Sequence, residues 1–366
     1  PPLEGLEDIR MLLTRRSTLE WVMRRAVLAE PGITHLPGRA VVGVDGTGGA
    51  VRGAHLDDGS VLAGTVVAAT GRRTDVGAWL APVGVQVQEE LVQSQLIYIT
   101  RWYSAPDFAM PSSGLLKDLG YMSYLVVPAD GGTLAVAVGL PPEDRELRAC
   151  MLDDHGFDRV AALLPGLGEG LAEASARPLR SSQPMAGLVN RLRRFADRSG
   201  EPLVTGFHAV GDAHTCTNPA YGRGCSLALV GASLLADAVA AHPGDPAART
   251  RAYEAACAAE IEPWFHSSVM MDQARLSMRR GAAAPAEGQP DIFRVLLAAG
   301  AGLIDDPVVI GGFARLLHLL VTPERLFGDA EFTARFLQLM SNPPELPSGQ
   351  TGPTREELLR AASAAA

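Results

Sequence analysis

Residues 207–240 read "FHAVGDAHTCTNPAYGRGCSLALVGASLLADAVA" and join three signals in one stretch. An apolar run ends at Gly211-Asp212, a polar loop follows, and a glycine-rich turn opens a long apolar helix. Ligands of open α/β sheets lie beyond the carboxyl ends of the strands, where helix N-termini converge. Asp212 falls at such an end, and an ionised carboxylate there can accept hydrogen bonds from a sugar diol.

The turn that precedes the helix also suits a flat ligand. Gly222 and Gly224 lie where a backbone must approach a ring closely, and the helix after them presents unpaired N–H groups with a partial positive charge. These features favour a nucleotide cofactor with an electron-accepting ring. An ordinary strand–loop–helix unit with Ser226 as its N-cap would have the same spacing, so the residues alone leave both interpretations open.

Composition and charge narrow the class of protein. A chain of 366 residues is long enough for two domains, and 47% hydrophobic with 20% charged residues is typical of a globular protein. The net charge of −9 argues against a nucleic-acid partner, because an acidic protein repels phosphates. The cysteines have no CxxC spacing, which predicts reduced thiols and no metal site. We expect a cytoplasmic protein without a membrane span, since the run VLLAAGAGLI from Val295 is short and no signal-peptide pattern is visible.

Helical and strand patterns alternate along the chain. Short apolar runs between Asp-Gly and Gly-Gly turns predict a β-meander over 39–70. Similar runs predict an antiparallel sheet over about 84–140, with a turn at Asp130-Gly131-Gly132. Residues 143–176 and most of 246–340 have helical patterns. The sequence therefore predicts a mixed α/β fold.

The segment GDAHTCTNPAYGRGCSLA closely resembles the second FAD motif of the flavin monooxygenase superfamily, the class that includes the aromatic hydroxylases. In that family the pattern is Gly-Asp-Ala, then Asn-Pro, then Gly-x-Gly at the start of a helix. The matching residues are Gly211, Asp212, Ala213, Asn218, Pro219, Gly222 and Gly224. The resemblance implies that Asp212 binds the ribityl chain of FAD, that the loop from Pro219 lines the isoalloxazine, and that the helix from Gly224 faces its pyrimidine carbonyl. His214 sits one place earlier than the family's commonest histidine.

Two upstream segments fit the same family. TVVAATGRRTDVGAWL resembles its Ala-Thr-Gly segment, with the match at Thr70 and Gly71. TRRSTLEWVMRRA resembles its Arg-x-x-Leu helix, in which Arg16 would reach the FAD pyrophosphate, since a guanidinium fork donates in pairs. The cofactor-binding residues implied by the resemblance are Arg16, Thr70, Gly71, Gly211, Asp212, Pro219, Gly222, Gly224, Cys225 and Ser226.

The family opens with a strand–GxGxxG–helix unit that cradles the diphosphate, and no such unit is found in this sequence. GVDGTGGA at 43–50 sits between two β-runs and is interpreted as a hairpin turn. We therefore expect an incomplete Rossmann-like FAD-binding domain, with the first part of a larger flavoprotein outside this sequence. The expected segments are the FAD-binding domain over 1–80 and 181–245, an antiparallel-sheet substrate domain over 81–180, and a C-terminal helical region over 246–366.

The resemblance implies an FAD-dependent oxidoreductase, in particular a monooxygenase for which NAD(P)H is the reductant and oxygen the second substrate. The apolar sheet favours a hydrophobic or aromatic small molecule. Alternate residues of a strand share a face, so Arg101 and Tyr103 are expected to point the same way. The candidate substrate-pocket residues are Tyr98, Arg101, Tyr103 and Tyr124. The patterns assign no catalytic residue and no oligomeric state.

Three alternatives stay open at this point. Flavin-dependent halogenases and isoprenoid reductases share the same FAD motif. A non-catalytic fragment could also keep the fold and no longer bind flavin. A yellow protein that oxidises NADPH would argue against this last alternative.

Overall fold

The computed structural model describes residues 9–110, 116–279, 298, 304–341 and 352–363. The described α-helices are α1 (Arg16–Ala29), α2 (Val76–Leu80), α3 (Arg145–Leu152), α4 (Asp154–Leu163), α5 (Gly168–Glu173), α6 (Gly224–Ala241), α7 (Pro246–Glu260), α8 (Glu262–Arg279), α9 (Pro307–Leu317), α10 (Pro323–Gly328), α11 (Ala330–Ser341) and α12 (Arg355–Ser363). The described strands are β1 (Val41–Thr47), β2 (Ala50–Leu56), β3 (Val61–Ala63), β4 (Val66–Ala68), β5 (Gln88–Gln93), β6 (Ile97–Ser104), β7 (Leu116–Asp118), β8 (Ser123–Ala129), β9 (Thr133–Leu140), β10 (Arg177–Pro178), β11 (Gln183–Met185), β12 (Val189–Arg194), β13 (Phe207–Ala209) and β14 (Thr215–Cys216). The predicted mixed α/β class is confirmed.

The largest sheet is antiparallel, in the order β10-β6-β9-β8-β7, with β11 also paired to β6. β8 and β9 are joined through Asp130-Gly131-Gly132, where the sequence predicts the turn. Gly131 has a φ of 65°, a left-handed conformation that glycine adopts without strain. One face of the sheet packs on α3, α4 and α12 around Ile99, Val136 and Phe157, all fully buried.

A second layer contains the strands that carry the FAD-motif segments. β1, β2 and β3 form the predicted antiparallel meander, and β4 pairs in parallel with β13. Phe207 on β13 packs with Val44 and Leu80 in one buried cluster. The apolar run TVVAAT is typical of a strand buried on both faces, but Val67 in its centre is 46% exposed. The described residues therefore cover only one face of this strand.

A three-stranded sheet, in the order β14-β12-β5, joins the expected substrate and FAD-binding segments. β5 lies in the expected substrate domain and β12 in the returning FAD-binding segment, yet they pair antiparallel over six residue pairs from Val189↔Gln93 to Arg194↔Gln88. The two segments thus share a sheet, and the division into four sequence segments stays a prediction.

The described residues from Pro246 onward are mostly helical, as the sequence predicts. α6 packs on α7, and α8 contacts β12 and β14. Phe313 on α9 packs against Phe332 and Phe336 on α11, in a buried cluster that also contains Leu227 of α6 and Trp264 of α8. The predicted apolar run from Val295 lies mostly outside the described residues.

α6 is the one described helix that is long and apolar enough, by length and composition, to cross a membrane, whereas the sequence predicts no membrane span. Its mean hydropathy is 1.7, and 22% of it is buried. The buried residues recur at helical spacing, namely Leu227, Gly231, Leu235 and Ala238. A single buried stripe is the pattern of a helix that packs on a protein core, so the length and composition of α6 are weak grounds for a membrane span.

Candidate functional site

The two motif segments meet at one edge of the parallel pair. β4 and β13 are in register from Val66↔Phe207 to Ala68↔Ala209, and the Val210 N–H donates to the Ala68 carbonyl at 3.0 Å. Because parallel strands end at the same edge of a sheet, the segments that follow them are neighbours. The structure thus brings Thr70-Gly71 and Gly211-Asp212 together, and the Gly211–Ala213 stretch forms a short 3₁₀ turn there.

Asp212 lies beside the N-terminus of α6, and its carboxylate accepts no hydrogen bond from the described residues. A Cβ built on Gly224, the first residue of α6, would lie 3.9 Å from Asp212 Oδ1. The half-buried carboxylate accepts no hydrogen bond from the residues that the structure describes. Burial raises its pKa, and the positive charges of Arg72, Arg16 and Arg191 act against this rise. A carboxylate that lacks a hydrogen-bond donor and lies next to the unpaired N–H groups of a helix is a suitable site for a ligand hydroxyl.

Arginines from three separate segments are close enough for their charges to act on this carboxylate. Arg16 on α1 is close enough for its charge to interact with Asp212 and with Cys225. The Arg191 guanidinium on β12 donates to the Arg72 carbonyl at 2.9 Å. Guanidinium groups suit a diphosphate because they donate hydrogen bonds in pairs. The resemblance to the Arg-x-x-Leu helix singles out Arg16 in the sequence. Arg191 lies in no recognised motif, and its place near Asp212 follows only from the position of β12 in the structure.

The turn that leads into α6 ends at Gly222, and α6 begins at Gly224. Asn218 caps a 3₁₀ turn over Pro219–Tyr221, which ends at Gly222 with a left-handed φ of 66°. Apart from its chain neighbours Tyr221 and Arg223, no described residue has a heavy atom within 4 Å of a Cβ built on Gly222. Cys225 and Ser226, in the first turn of α6, are both exposed. The space beside Gly222 is therefore open to a ligand, apart from the side chains of its two chain neighbours.

The four candidate substrate-pocket residues lie on different faces of the antiparallel sheet. Arg101 and Tyr103 share a face, as expected, and both are buried against α4, where Arg101 Nη2 and the Tyr103 hydroxyl donate to Asp158 at 3.0 and 2.7 Å. The Tyr124 hydroxyl donates to the Pro165 carbonyl at 2.7 Å. These contacts account for the three side chains without a ligand. Tyr98 lies on the opposite face of β6.

Of the four candidates, Tyr98 is the one that the structure places near the loop from Asn218 to Gly222. Its hydroxyl is close enough to Tyr221 and to Arg275 for their charges to interact. Burial, with a contribution from the Asp272 carboxylate, raises the pKa of Tyr221, so its hydroxyl stays a neutral donor. An aromatic substrate placed between the sheet and the loop would lie next to Tyr98.

His214 points into the core and away from the loop. It is 4% exposed, its Nδ1 lies 2.8 Å from the Thr215 hydroxyl, and its ring packs against Phe195 and Tyr253. Within the described residues, no three His, Cys, Asp or Glu side chains form a group that could hold a metal ion.

Comparisons with known proteins identify the fold. No protein-family model and no curated protein sequence matches the chain. Among solved structures, the flavin-dependent brominase Bmp2 is 20% identical, with a TM-score of 0.58 over 90% of this chain and 75% of that one. The p-nitrophenol 4-monooxygenase PnpA from Pseudomonas putida DLL-E4 is 15% identical, with a TM-score of 0.55 over 85% and 73%. PqsL from Pseudomonas aeruginosa, a probable FAD-dependent monooxygenase, is 21% identical, with a TM-score of 0.53 over 73% and 71%.

The chain therefore has the fold of flavin-dependent monooxygenases and of a related flavin-dependent halogenase. The resemblance found in the Gly-Asp motif is confirmed at the level of the fold.

Proposed function

We propose that this chain is an FAD-dependent oxidoreductase, and that it acts as a cytoplasmic monooxygenase on a hydrophobic or aromatic small molecule with NAD(P)H as reductant. The observation that carries the proposal is the half-buried Asp212 carboxylate, which accepts no hydrogen bond from the described residues and lies beside the N-terminus of α6. A fold shared with flavin-dependent enzymes supports it.

The residues present fit a flavin nucleotide. Asp212 would accept hydrogen bonds from the ribityl hydroxyls, and Gly222 leaves room for the isoalloxazine above the turn. The N-terminus of α6 would stabilise negative charge on the pyrimidine side of the ring. Arg16 and Arg72 would face the diphosphate. The bound flavin would supply the electron transfer and oxygen chemistry, while the protein positions it and keeps water away.

The substrate class is proposed from the sheet side of the site. Tyr98 is a half-buried aromatic residue whose hydroxyl lies close enough to Tyr221 to influence its pKa, and stacked or edge-to-face contacts with such a ring favour an aromatic ligand. PqsL, whose fold is similar, has been solved with 2-aminobenzoylacetate, an aromatic compound. The similarity to a brominase keeps halogenation as the alternative reaction, which product analysis with and without halide would distinguish.

FAD titration of the purified full chain tests the proposal. We expect the protein to bind FAD, to gain about 2.7 kcal/mol of stability at a hundredfold excess over Kd, and to consume NADPH and oxygen when an aromatic substrate is added. AMP, which lacks the flavin, serves as the control ligand and should leave Tm much closer to its value without ligand. A colourless protein whose Tm does not respond to FAD would support the non-catalytic alternative.

Two glycine variants separate ligand contact from backbone strain. Gly211 and Gly222 have left-handed φ values of 59° and 66°, so alanine at either position costs about 1–2 kcal/mol. A Cβ at Gly211 would also lie 3.1 Å from the Cβ of Ala228, whereas the space at Gly222 is open. We expect Gly211→Ala to lower the free energy of unfolding more, and Gly222→Ala to lower FAD affinity more. Urea unfolding and FAD titration measure the two effects, and wild-type FAD affinity in Gly222→Ala would remove Gly222 from the site.

A further inference from the structure

A buried carboxylate on α8 holds together three separate segments of the chain. Asp272 is 1% exposed and accepts four hydrogen bonds. The donors are Asn190 Nδ2 at 2.8 Å, Asn218 Nδ2 at 2.7 Å, the Tyr221 hydroxyl at 3.0 Å and Arg275 Nη2 at 2.7 Å. A buried charge is tolerated where it is paired and hydrogen-bonded, and Asp272 meets both conditions.

Two of these donors, Asn218 and Tyr221, belong to the loop that precedes the N-terminus of α6. Asn218 is fully engaged, because its backbone N–H donates to Asn190 Oδ1 at 2.8 Å and its own Oδ1 accepts from the Ala220 N–H at 3.0 Å. Tyr221 is the last residue of the turn that Asn218 caps. Both ends of the turn are therefore tied to Asp272, and the residue that follows is Gly222.

This arrangement links a helix outside the recognised motifs to the cofactor site. α8 lies in the C-terminal helical region, which contributes no residue to the motif matches. Without the carboxylate, the Asn218 amide and the Tyr221 hydroxyl would lose their acceptor in a buried place, which is costly. The loop would then be free to adopt other conformations that satisfy these donors with water.

We propose that Asp272 is a positioning residue that holds the Asn218–Gly222 loop in the conformation that receives the isoalloxazine ring. α8 is thereby part of the flavin site. The flavin half of this inference depends on the proposed function, whereas the anchoring of the loop is a property of the protein without cofactor.

The test is Asp272→Asn in the full chain, with two independent measurements. Asparagine keeps the shape but replaces one acceptor oxygen by an NH₂ group that faces other donors. We expect hydrogen exchange of the Asn218 and Ala220 amides to become about tenfold faster or more in the protein without FAD, and FAD affinity to fall about tenfold or more. The flavin that still binds should have a shifted reduction potential, because its ring no longer meets the N-terminus of α6 in the same place.

Two further variants provide the gradation and the control. Tyr221→Phe removes a single donor and should move all three quantities in the same direction by a smaller factor. Tyr121→Phe removes a hydroxyl that donates to the Pro353 carbonyl at 2.6 Å and to no residue of the loop, and it should leave loop exchange and FAD affinity at wild-type values. If Asp272→Asn does not fold, Tyr221→Phe against Tyr121→Phe decides.

The outcomes separate this inference from the proposed function. Wild-type loop exchange and wild-type FAD affinity in Asp272→Asn, or in Tyr221→Phe where only that variant folds, would overturn the inference and leave the proposed function intact. Faster loop exchange in a protein that never binds FAD would overturn the proposed function and the flavin half of the inference, and would support the anchoring alone.

Discussion

Replacing Asp212 by alanine is expected to lower FAD affinity about 10- to 100-fold, the range for a lost hydrogen bond to a charged group. The same change is expected to leave the free energy of unfolding of the cofactor-free protein unchanged or slightly higher. Burial raises the pKa of this carboxyl, and a raised pKa means that the ionised form is less favourable in the folded than in the unfolded chain at neutral pH. A half-buried carboxylate that accepts no hydrogen bond from the described residues fits the proposed contact with a ligand hydroxyl.

The matched control for this variant is Asp237→Ala. Asp237 is an exposed residue in the C-terminal part of the same helix, α6. FAD titration and urea unfolding of both variants give the comparison, and Asp237→Ala should match the wild type in both. Full FAD affinity in a folded Asp212→Ala protein would remove the ribityl assignment.

Acidification is expected to destabilise the protein through a buried histidine. His208 on β13 is 1% exposed, and its ring meets Tyr253 edge-on at 5.7 Å. Burial lowers its pKa from 6.5 to about 4, the charge of Arg249 adds to this, and Glu254 opposes it. Between these two pKa values the unfolded chain binds more protons at His208 than the folded chain does. The free energy of unfolding is therefore unaffected by His208 above pH 6.5 and falls as the pH approaches 4. Each pKa unit corresponds to about 1.4 kcal/mol, which gives a loss on the order of 3 kcal/mol.

Urea unfolding at several pH values between 7 and 4 measures this loss. His208→Phe should keep most of the stability at pH 7, since the His208 Nε2 has no hydrogen-bond partner among the described residues, and its pH profile should be flatter. His35→Ala, at an exposed histidine, should keep the wild-type profile. An unchanged slope in His208→Phe would assign the acid sensitivity to carboxylates instead.

The local features of the fold were predictable because their signals are local. The turn at Asp130-Gly131-Gly132 needs a left-handed glycine, and the start of α6 at Gly224 follows a glycine-rich stretch. Thr70-Gly71 and Gly211-Asp212 each follow an apolar run that ends in a strand. In such places the residue types themselves restrict the backbone.

Features that depend on tertiary placement were not predictable. Strand alternation correctly places Arg101 and Tyr103 on one face, but a period of two does not say which face meets the loop and which meets α4. Arg191 and Asp272 reach the site through strand pairing and helix docking, and nothing in their sequence neighbourhood marks them. His214 shows the converse, because a residue inside a ligand-binding motif can point into the core.

The parallel pairing of β4 with β13 joins strands that are far apart in the chain, with the whole antiparallel sheet in between. Contacts of such long sequence separation close large loops and form slowly. Because β13 is the second member of the pair, the two strand ends can meet only after the chain has been synthesised as far as Ala209. If the chain binds FAD as proposed, binding at this site requires β13, and nascent chains arrested before β13 should bind no flavin at this site.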